Sequence, residues 1–327
     1  MTAMLRAGVI GLGAMGLNHA RVYDELPGVE LVAVADTSPD RLDAVACPAT
    51  YDDYRRMLAG ERLDLVSVCV PTLLHRDVAL AAIDSGIAVL VEKPIAATLD
   101  EGWAIARAAE RAGVLLMIGH VERFNPAVTE AKRRLLAGDL GRVYQLYARR
   151  TGPFPQRVRD VGVVHDLAPH DIDIICFLLG SRPERVYAET LRGVATEHED
   201  MLWGILRFPD GAVGVLDVNW LTPVKVRRLS ILGEKGLLQA DYLSQQLAFY
   251  PKRPDGQSPV DTPTPIRVDV KEPLRLELEA FADAVRRNVA PPVTAEDGLA
   301  ALEIASLLVE SARSGRAVDL RQGDRVD

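Results

Sequence analysis

The chain has 327 residues, of which 48% are hydrophobic and 26% are charged, and its formal net charge is −8 at pH 7. A chain of this length and composition can bury a sizeable core, and it predicts about two globular domains. The acidic balance argues against nucleic acid as a partner, because neutralising phosphates requires a concentrated basic face. The three cysteines have no paired spacing, which is typical of reduced thiols, and no run of about 20 apolar residues predicts a membrane span. We therefore expect a cytoplasmic protein.

A strand, a glycine-rich turn and a helix are predicted at the start of the chain. The strand is LRAGVIG, residues 5–11, and the helical pattern after GLGAMG continues to Leu26. Gly11, Gly13 and Gly16 fit the spacing G-x-G-x-x-G, in which the first glycine makes the turn, the second lets backbone approach a pyrophosphate and the third lets helix pack on strand. A purely structural glycine turn is the alternative.

The second predicted strand, ELVAVAD, ends at Asp36, about 20 residues after Gly16, where a carboxylate can accept hydrogen bonds from an adenosine ribose. Together with the glycine spacing, this position predicts a dinucleotide site. A carboxylate there would repel the 2′-phosphate of NADP, and Thr37–Pro39 supply no arginine to hold one, so the expected cofactor is NAD. Arg41 is the reservation, because it is close enough in sequence to reach the ribose.

Strand and helix patterns keep alternating, and the near-continuous apolar strands predict a doubly wound parallel sheet, a Rossmann domain over residues 1–122. Ligands bind at the carboxyl ends of such strands, where the sequence places PTLLH at residues 71–75, EKP at 92–94 and HVERFNP at 120–126. The residues expected at the cofactor are Gly11, Gly13, Ala14, Met15, Gly16, Asp36, Pro71, Thr72, His75, Glu92, Lys93 and Arg123.

After about residue 140 the pattern changes to strand-like runs joined by turn signals such as Pro209-Asp210-Gly211. These runs predict a second α/β domain, residues 123–327, built on a large, mainly antiparallel open sheet. Two helices are predicted near its end, at about residues 273–288 and 295–314. The predicted fold class is therefore α/β followed by α+β.

The stretch DVGVVHDLAPHDIDI, residues 160–174, predicts a helix that continues to Leu179 and is closed by Gly180. On one continuous helix, Asp166, His170 and Asp173 fall at i, i+4 and i+7 and share a face. A carboxylate one turn away can fix the tautomer of His170 and raise its basicity, which prepares an imidazole as a general base.

Two other residues of this helix, His165 and Asp171, point elsewhere on the helical wheel and are expected to be supportive or exposed. The same acidic and imidazole face offers ligands to a metal ion, but no further ligand cluster accompanies it, so no metal is expected. A solvated row of acidic residues, or a satisfied core histidine, is the plain structural alternative.

Lys93 is the second candidate for chemistry. A lysine after a strand is usually a solvated charge, but between Glu92 and Pro94 at the mouth of a nucleotide fold it can hydrogen-bond a substrate hydroxyl and stabilise alkoxide character. Pro94 limits the backbone at Lys93 and permits a cis peptide bond.

These motifs carry a family resemblance. GLGAMG, the Glu92-Lys93-Pro94 triplet and Asp166-x-x-x-His170 resemble, in this order, the nucleotide loop, lysine motif and aspartate-histidine motif of the Gfo/Idh/MocA oxidoreductases, and the resemblance spans nearly the whole chain. It implies that the lysine and the histidine are catalytic and that the first domain binds NAD(P). It also implies that the open sheet of the second domain forms the substrate site and the contacts of a homodimer or homotetramer.

Within the family, HVERFNPAV and GPFPQRVRDVGVVHDLAPHDIDI resemble the branch that oxidises UDP-N-acetylglucosamine at C3 to the 3-keto sugar nucleotide. Guanidinium groups suit a diphosphate, and four of them precede the predicted helix, although a solvated loop would look the same. The residues expected at the substrate are Asn125, Arg149, Arg150, Arg157 and Arg159.

The expected mechanism has His170 accept the proton of a sugar hydroxyl while Lys93 stabilises the developing oxyanion and Asp166 orients the histidine or the substrate. A dehydrogenase of inositol or another free sugar is the alternative substrate class. A non-catalytic regulator that senses NAD or a sugar is the alternative class of function, against which the presence of both Lys93 and His170 argues.

Overall fold

The computed structural model describes residues 4–155, 162–195, 197–253 and 262–320. The chain divides into two compact units. Unit 1 comprises Met1–Val121 and Glu272–Leu302, and unit 2 comprises Glu122–Lys271 and Glu303–Asp327. The first boundary lies beside the one expected between residues 122 and 123, but a later segment returns to unit 1.

Unit 1 alternates strands and helices. Its elements, in chain order, are β1 (Leu5–Ile10), α1 (Ala14–Glu25), β2 (Val29–Ala35), α2 (Pro39–Leu42), β3 (Ala49–Tyr51), α3 (Tyr54–Gly60), β4 (Leu65–Val68), a short 3-10 helix (Thr72–Leu74), α4 (His75–Asp84), β5 (Ala88–Glu92), α5 (Leu99–Ala112) and β6 (Leu116–Gly119). The six strands are parallel in the order β3-β2-β1-β4-β5-β6. The predicted doubly wound sheet is confirmed.

Helices cover both faces of this sheet. Every residue of β4 and β5 is buried, as expected for parallel strands that face a helix layer on either side. The chain order reverses direction at the neighbours β1 and β4, and such a switch point opens a crevice at the carboxyl ends of the strands. This crevice is where the glycine-rich turn and the residues after β4 and β5 lie.

Unit 2 begins at Glu122, within a second 3-10 helix, Val121–Phe124. Its elements are α6 (Pro126–Leu136), β7 (Val143–Pro153), α7 (Val163–Asp166), α8 (Ala168–Leu179), β8 (Arg185–Arg192), β9 (Glu199–Arg207), β10 (Val213–Asn219), β11 (Leu221–Gly233), β12 (Gly236–Asp241), β13 (Gln246–Pro251) and β14 (Thr264–Ile266). After α9 (Pro273–Arg287) and α10 (Ala295–Ser314), β15 (Val318–Asp319) completes it.

Within the described residues, the second sheet runs in the order β14-β13-β12-β11-β7-β10-β9-β8-β15. The pairing of β7 with β10 is parallel and its other strand pairings are antiparallel. The predicted large, mainly antiparallel sheet is confirmed. One face of it carries α8, and the other face includes exposed apolar side chains such as Trp203 and Ile205.

Helix α9 and the start of α10 belong to unit 1. Arg275 of α9 pairs with Glu25 of α1 at 3.5 Å, and Arg286 donates to the Gly28 carbonyl at 3.2 Å. Gly298 of α10 lies so close to β6 that a Cβ there would be 2.9 Å from Ile118 Cγ1. The sequence predicted both helices but not their unit, because their packing partners lie far away in the chain.

The helix predicted as one continuous element to Leu179 is two helices. The chain leaves the helical hydrogen-bond pattern at Leu167, between α7 and α8, and Pro169 lies in the first turn of α8. Proline has no N–H, and its ring collides with the carbonyl four residues earlier, so it begins a helix more readily than it continues one. Gly180 ends α8 with φ +68°, as expected.

Among the described residues, no helix is both long enough and apolar enough to cross a membrane.

Candidate active site

The glycine-rich turn between β1 and α1 has the geometry of a phosphate loop. Gly11 has φ +88°, a conformation that favours glycine, and a Cβ at Gly16 would lie only 1.8 Å from the Gly11 carbonyl oxygen. A Cβ at Gly13, by contrast, would meet nothing within 4 Å. The first-turn N–H groups of α1, which include those of Ala14 and Met15, need acceptors from outside the helix. This open cradle at a helix N-terminus fits the pyrophosphate of NAD.

Asp36, directly after β2, is buried and holds the glycine-rich turn. Its two carboxylate oxygens accept the N–H groups of Leu12 at 2.6 Å and Ser38 at 2.9 Å. Each oxygen has further lone pairs, so both can also accept a ribose hydroxyl. Arg41 approaches the same carboxylate at 3.5 Å, with half of its side chain exposed. Arg41 is therefore close enough to the expected ribose position to affect the choice between NAD and NADP, as its place in the sequence suggested.

The residues after β4 are tied to those after β5. Pro71 precedes the 3-10 helix that begins at Thr72, and the buried His75 places one ring nitrogen 2.9 Å from the Val70 carbonyl and the other 2.9 Å from the Pro94 carbonyl. Burial lowers the pKa of His75, and its contacts with the two carbonyls oppose that shift. His75 thus supports the backbone beside Lys93, and a contact with NAD stays a prediction.

Lys93 directly follows the carboxyl end of β5. The peptide bond between Lys93 and Pro94 is cis, which a proline at position 94 was expected to permit. Its N–H donates to Glu92 Oε2 at 3.1 Å, while Glu92 Oε1 lies 3.1 Å from Nε2 of the buried His19. Burial alone would raise the pKa of Glu92, but the hydrogen bond from His19 and the charge of Lys93 outweigh it and lower that pKa. Glu92 is therefore an ionised group of the protein interior.

In unit 2 the structure places Asp166 at the end of α7 and His170 in the first turn of α8. Asp166 is buried and His170 is half-buried. Because the chain leaves the helical pattern at Leu167, the two residues are not one turn apart on one helix, and the predicted i, i+4 relation does not describe them. The neighbouring His165 is also largely buried, which lowers its pKa.

The remaining acidic residues of α8 bind arginines. Asp171, expected to be supportive or exposed, is fully buried and takes a bidentate pair from Arg150 at 2.8 and 3.1 Å. Asp173, expected to share the face of His170, takes a bidentate pair from the buried Arg123 at 2.8 and 2.5 Å. Both carboxylates hold the helix to other elements of unit 2, so of the two roles expected for Asp171 the supportive one is confirmed and the exposed one is not.

Of the arginines expected to grip a diphosphate, Arg149 and Arg150 point to opposite faces of β7. Arg150 is buried between Asp171 and Glu122. Burial alone would lower the pKa of Arg150, but the charges of Asp171 and Glu122 outweigh it and raise that pKa. Arg149, the preceding residue of β7, points to the opposite face of the sheet, because successive side chains of a strand alternate between faces. It is half-exposed, and its Nε lies 3.3 Å from Asp217 Oδ2. Arg157 and Arg159 lie outside the described residues.

Asn125, expected at the substrate, caps helix α6. Its side-chain oxygen accepts the N–H of Ala127 at 3.1 Å, and its amide group donates to the Tyr242 carbonyl at 3.1 Å. It is buried. Arg123, expected at the cofactor, is likewise bound within unit 2 by Asp173, so the structure gives both residues a structural role, and their ligand contacts stay predictions.

Three polar residues close to these groups were missed in the sequence. His19 and Glu277 are fully buried near Glu92. Arg227 of β11 is half-buried and donates to the carbonyls of Thr151 and Val226, and burial together with the charge of Arg150 lowers its pKa to about 10. His19 had a signal, because it lies one turn after Gly16 on the face of α1 that packs against the sheet. Glu277 and Arg227 had none, since charged residues of helices and strands are usually exposed.

Two family models match the chain. A model of an oxidoreductase family with an NAD-binding Rossmann fold matches residues 5–120, and a model of the GFO/IDH/MocA C-terminal domain matches residues 128–239. The matched regions are the parallel sheet of unit 1 and most of the second sheet.

Similar proteins cover almost the same length. The scyllo-inositol 2-dehydrogenase (NAD⁺) of Bacillus subtilis is 29% identical, covering 98% of this chain and 97% of its own. The UDP-N-acetylglucosamine 3-dehydrogenase of Acidithiobacillus ferrooxidans is 30% identical, covering 86% of this chain and 88% of its own. A crystal structure of the latter enzyme superimposes with a TM-score of 0.84 over 95% of this chain and 98% of its own, at 28% identity.

Proposed function

This chain belongs to the Gfo/Idh/MocA oxidoreductases and is an NAD-dependent dehydrogenase of a sugar or polyol hydroxyl, and we propose that it oxidises UDP-N-acetylglucosamine at C3 to the 3-keto sugar nucleotide. The observation that carries a dehydrogenase chemistry is Lys93, which directly follows β5 at the sheet edge that also holds the glycine-rich turn and Asp36. Support for the sugar nucleotide comes from the relative of that activity, 30% identical over 86% of the chain.

The proposed chemistry needs a proton acceptor and a cation. His170 accepts the proton of the substrate hydroxyl, and the ammonium of Lys93 stabilises the negative charge that develops on that oxygen. Asp166 orients the histidine or the substrate. NAD, when bound, supplies the acceptor for the hydride that leaves the same carbon, so the products are a ketone, NADH and one proton.

A free polyol is the second candidate substrate, and a specific observation favours it. Arg150 is buried and paired with Asp171 and Glu122, so it is not spare for a diphosphate, and Arg149 points to the opposite face of β7, where it pairs with Asp217. The nucleotide proposal therefore depends on Arg157 and Arg159. A protein that binds a free polyol would need neither.

A substrate panel tests the proposal. Purified protein with NAD is given UDP-N-acetylglucosamine, N-acetylglucosamine or scyllo-inositol, and NADH is followed by absorbance. We expect the UDP-sugar to have the highest kcat/KM, because remote binding energy positions the reacting ring, so that the truncated sugar loses turnover as well as affinity. Efficient oxidation of scyllo-inositol with no gain from UDP would move the protein to the polyol class, and no NADH from any compound would favour a regulator.

Charge reversal tests the diphosphate contact directly. Arg157→Glu and Arg159→Glu are each expected to raise KM for the UDP-sugar and to leave the KM for NAD unchanged. Arg133→Glu, an exposed arginine of α6 paired with Glu130, is the matched control. Equal KM values for the three variants would remove these arginines from the substrate site.

We also propose that unit 2 joins two or more copies through the exposed face of its sheet. Ile205, Val215 and Tyr147 are direct partners across β9, β10 and β7, so they form one row of that face. Ile205 and Tyr147 are exposed, as is Trp203 two residues from Ile205. Exposed apolar side chains on neighbouring strands of one sheet face are typical of an interface. The three cysteines, an odd number with no paired spacing, support the further proposal of a cytoplasmic location.

A further inference from the structure

A group of buried polar side chains lies beside Lys93 within unit 1. It comprises Tyr23 and His19 of α1, Ser67 of β4, Glu92 of β5 and Glu277 of α9, and we call it the His19 cluster. The Tyr23 hydroxyl is 2.9 Å from Ser67 Oγ, which is 3.0 Å from His19 Nδ1. His19 Nε2 is 3.1 Å from Glu92 Oε1. Polar groups this deep need their hydrogen bonds, because burial without a partner costs about 1–3 kcal/mol each.

A series of hydrogen bonds joins the members of the cluster. Burial raises the pKa of Tyr23, so its phenol keeps its proton and can donate to Ser67. Glu92 is an ionised acceptor, so His19 must present Nε2–H to it. The contact of Ser67 Oγ with His19 Nδ1 holds the ring in this orientation, as a second hydrogen bond does for histidines in other polar sites. The series thus runs from Tyr23 through Ser67 and His19 to Glu92.

Glu277 adds a second carboxylate to the same place. One ligand atom each of His19, Glu92 and Glu277 lies within 4.8 Å of the others, and all three residues are buried. Two neighbouring carboxylates cannot both ionise easily, because like charges in a buried site favour uptake of a proton by one of them. Glu92 has donors in His19 Nε2–H and in the main-chain N–H of Lys93, and both favour its ionised form.

We propose that His19 is a positioning residue for Lys93: its Nε2–H holds Glu92 ionised and in place, and the other oxygen of Glu92 holds the main-chain N–H of Lys93. This inference rests on the proposed role of Lys93 at the substrate hydroxyl. The lysine touches the reacting oxygen, whereas His19 acts through Glu92. The chain from α1 to β5 thereby connects the helix that begins at the phosphate loop to the catalytic residue.

The test compares two replacements of His19. His19→Gln keeps an amide N–H near the position of Nε2, whereas His19→Leu keeps the size and removes the donor. We expect His19→Leu to lower kcat by about tenfold to 10²-fold, the loss typical of a misplaced catalytic group, with the KM for NAD unchanged. His19→Gln should recover a large part of this loss. Equal kcat values for the wild type and His19→Leu, or equal losses in both variants, would overturn the proposal.

A stability control separates positioning from packing. Met57→Ala truncates a buried side chain of unit 1 that lies on α3, away from the cluster. It should lower the thermal midpoint at least as much as His19→Leu but keep kcat. The double variant His19→Leu/Glu277→Gln removes the competing carboxylate, so it should regain part of the kcat that His19→Leu loses. No recovery would show that Glu277 does not compete with Glu92 for charge, which contradicts the proposed arrangement.

A readout without turnover keeps this inference distinct from the proposed function. The rate at which the Lys93 amine is labelled at fixed pH, measured by mass spectrometry, should rise in His19→Leu, because a Glu92 side chain that His19 no longer holds leaves the main chain at Lys93 less fixed and its amine more accessible. It should return towards the wild-type rate in His19→Gln. If no compound of the substrate panel gave NADH, the proposed function would be refuted. The labelling rate of Lys93 would then still test whether His19 positions Lys93. Activity lost on dialysis against EDTA and restored by Zn²⁺ would show a cation in the cluster and overturn the proposal.

Discussion

We expect Asp36 to determine the choice between NAD and NADP. Asp36→Ala is expected to lower kcat/KM for NAD and to reduce the preference over NADP, because it removes both the ribose acceptor and the bond to the Leu12 N–H. Thr37→Arg, which adds a guanidinium next to the same site, should move the preference towards NADP. Initial rates with both cofactors measure this. Comparable kcat/KM values of the wild type with NAD and NADP would contradict the expected role of Asp36.

The two proposed catalytic residues give a different signature from Asp36. Lys93→Ala and His170→Ala are each expected to lower kcat by about 10²- to 10⁴-fold, the usual loss for a general acid or base. Both act on the hydroxyl, so the affinity for NAD, measured by calorimetry, should stay nearly unchanged. If His170→Ala kept near wild-type turnover, Asp166 or His165 would have to be the base.

Residues whose role is local were predictable, and those whose role depends on a distant partner were not. The turn depends on the backbone conformation of three glycines and on their missing Cβ atoms, and these properties follow from the residue type alone: Gly11, Gly13 and Gly16. Arg123 was expected to bind the cofactor because arginine is a common ligand-binding residue type. Its partner is instead Asp173, which lies 50 positions away in the chain. A buried arginine needs an acidic partner, because an unpaired buried charge is unfavourable. The sequence does not say which of the many acidic residues that partner is.

At the scale of elements, the pair Arg150 and Arg149 tests what holds α8 to β7. Arg150→Met leaves Asp171 and Glu122 buried without their partner, which is expected to lower the free energy of unfolding by about 3–5 kcal/mol. Arg149→Met, one residue away on the opposite face, breaks an exposed pair with Asp217 and should cost no more than about 1 kcal/mol. Urea unfolding followed by tryptophan fluorescence measures both, and similar midpoints would contradict the assignment of Arg150 as a buried link.

The order and type of the elements followed from the sequence, and their interruptions and packing did not. Apolar periodicity predicted the alternation of unit 1, because a covered parallel sheet has few polar positions. The same periodicity continued through Leu167, so it concealed the end of α7, although Pro169 marked a helix start. The position of α9 against α1 depends on the fit of two distant surfaces, which periodicity does not encode.

For the whole molecule, the proposed oligomer is tested on the exposed sheet face. Ile205→Arg places a charge in the row that Ile205 forms with Val215 and Tyr147. In a two-fold interface each substitution occurs on both copies, so the charge would be introduced twice. We expect the variant to sediment as a monomer where the wild type sediments as a dimer or tetramer.

Leu136→Arg is the matched control for this interface, because Leu136 is an exposed apolar residue at the end of α6, outside the sheet. It should keep the oligomeric state of the wild type, which shows that a new surface arginine alone does not dissociate the copies. Kinetics of the Ile205→Arg variant then show whether turnover depends on assembly. A wild-type monomer at the concentrations of the assay, or an Ile205→Arg variant that still assembles, would show that this face does not join the copies.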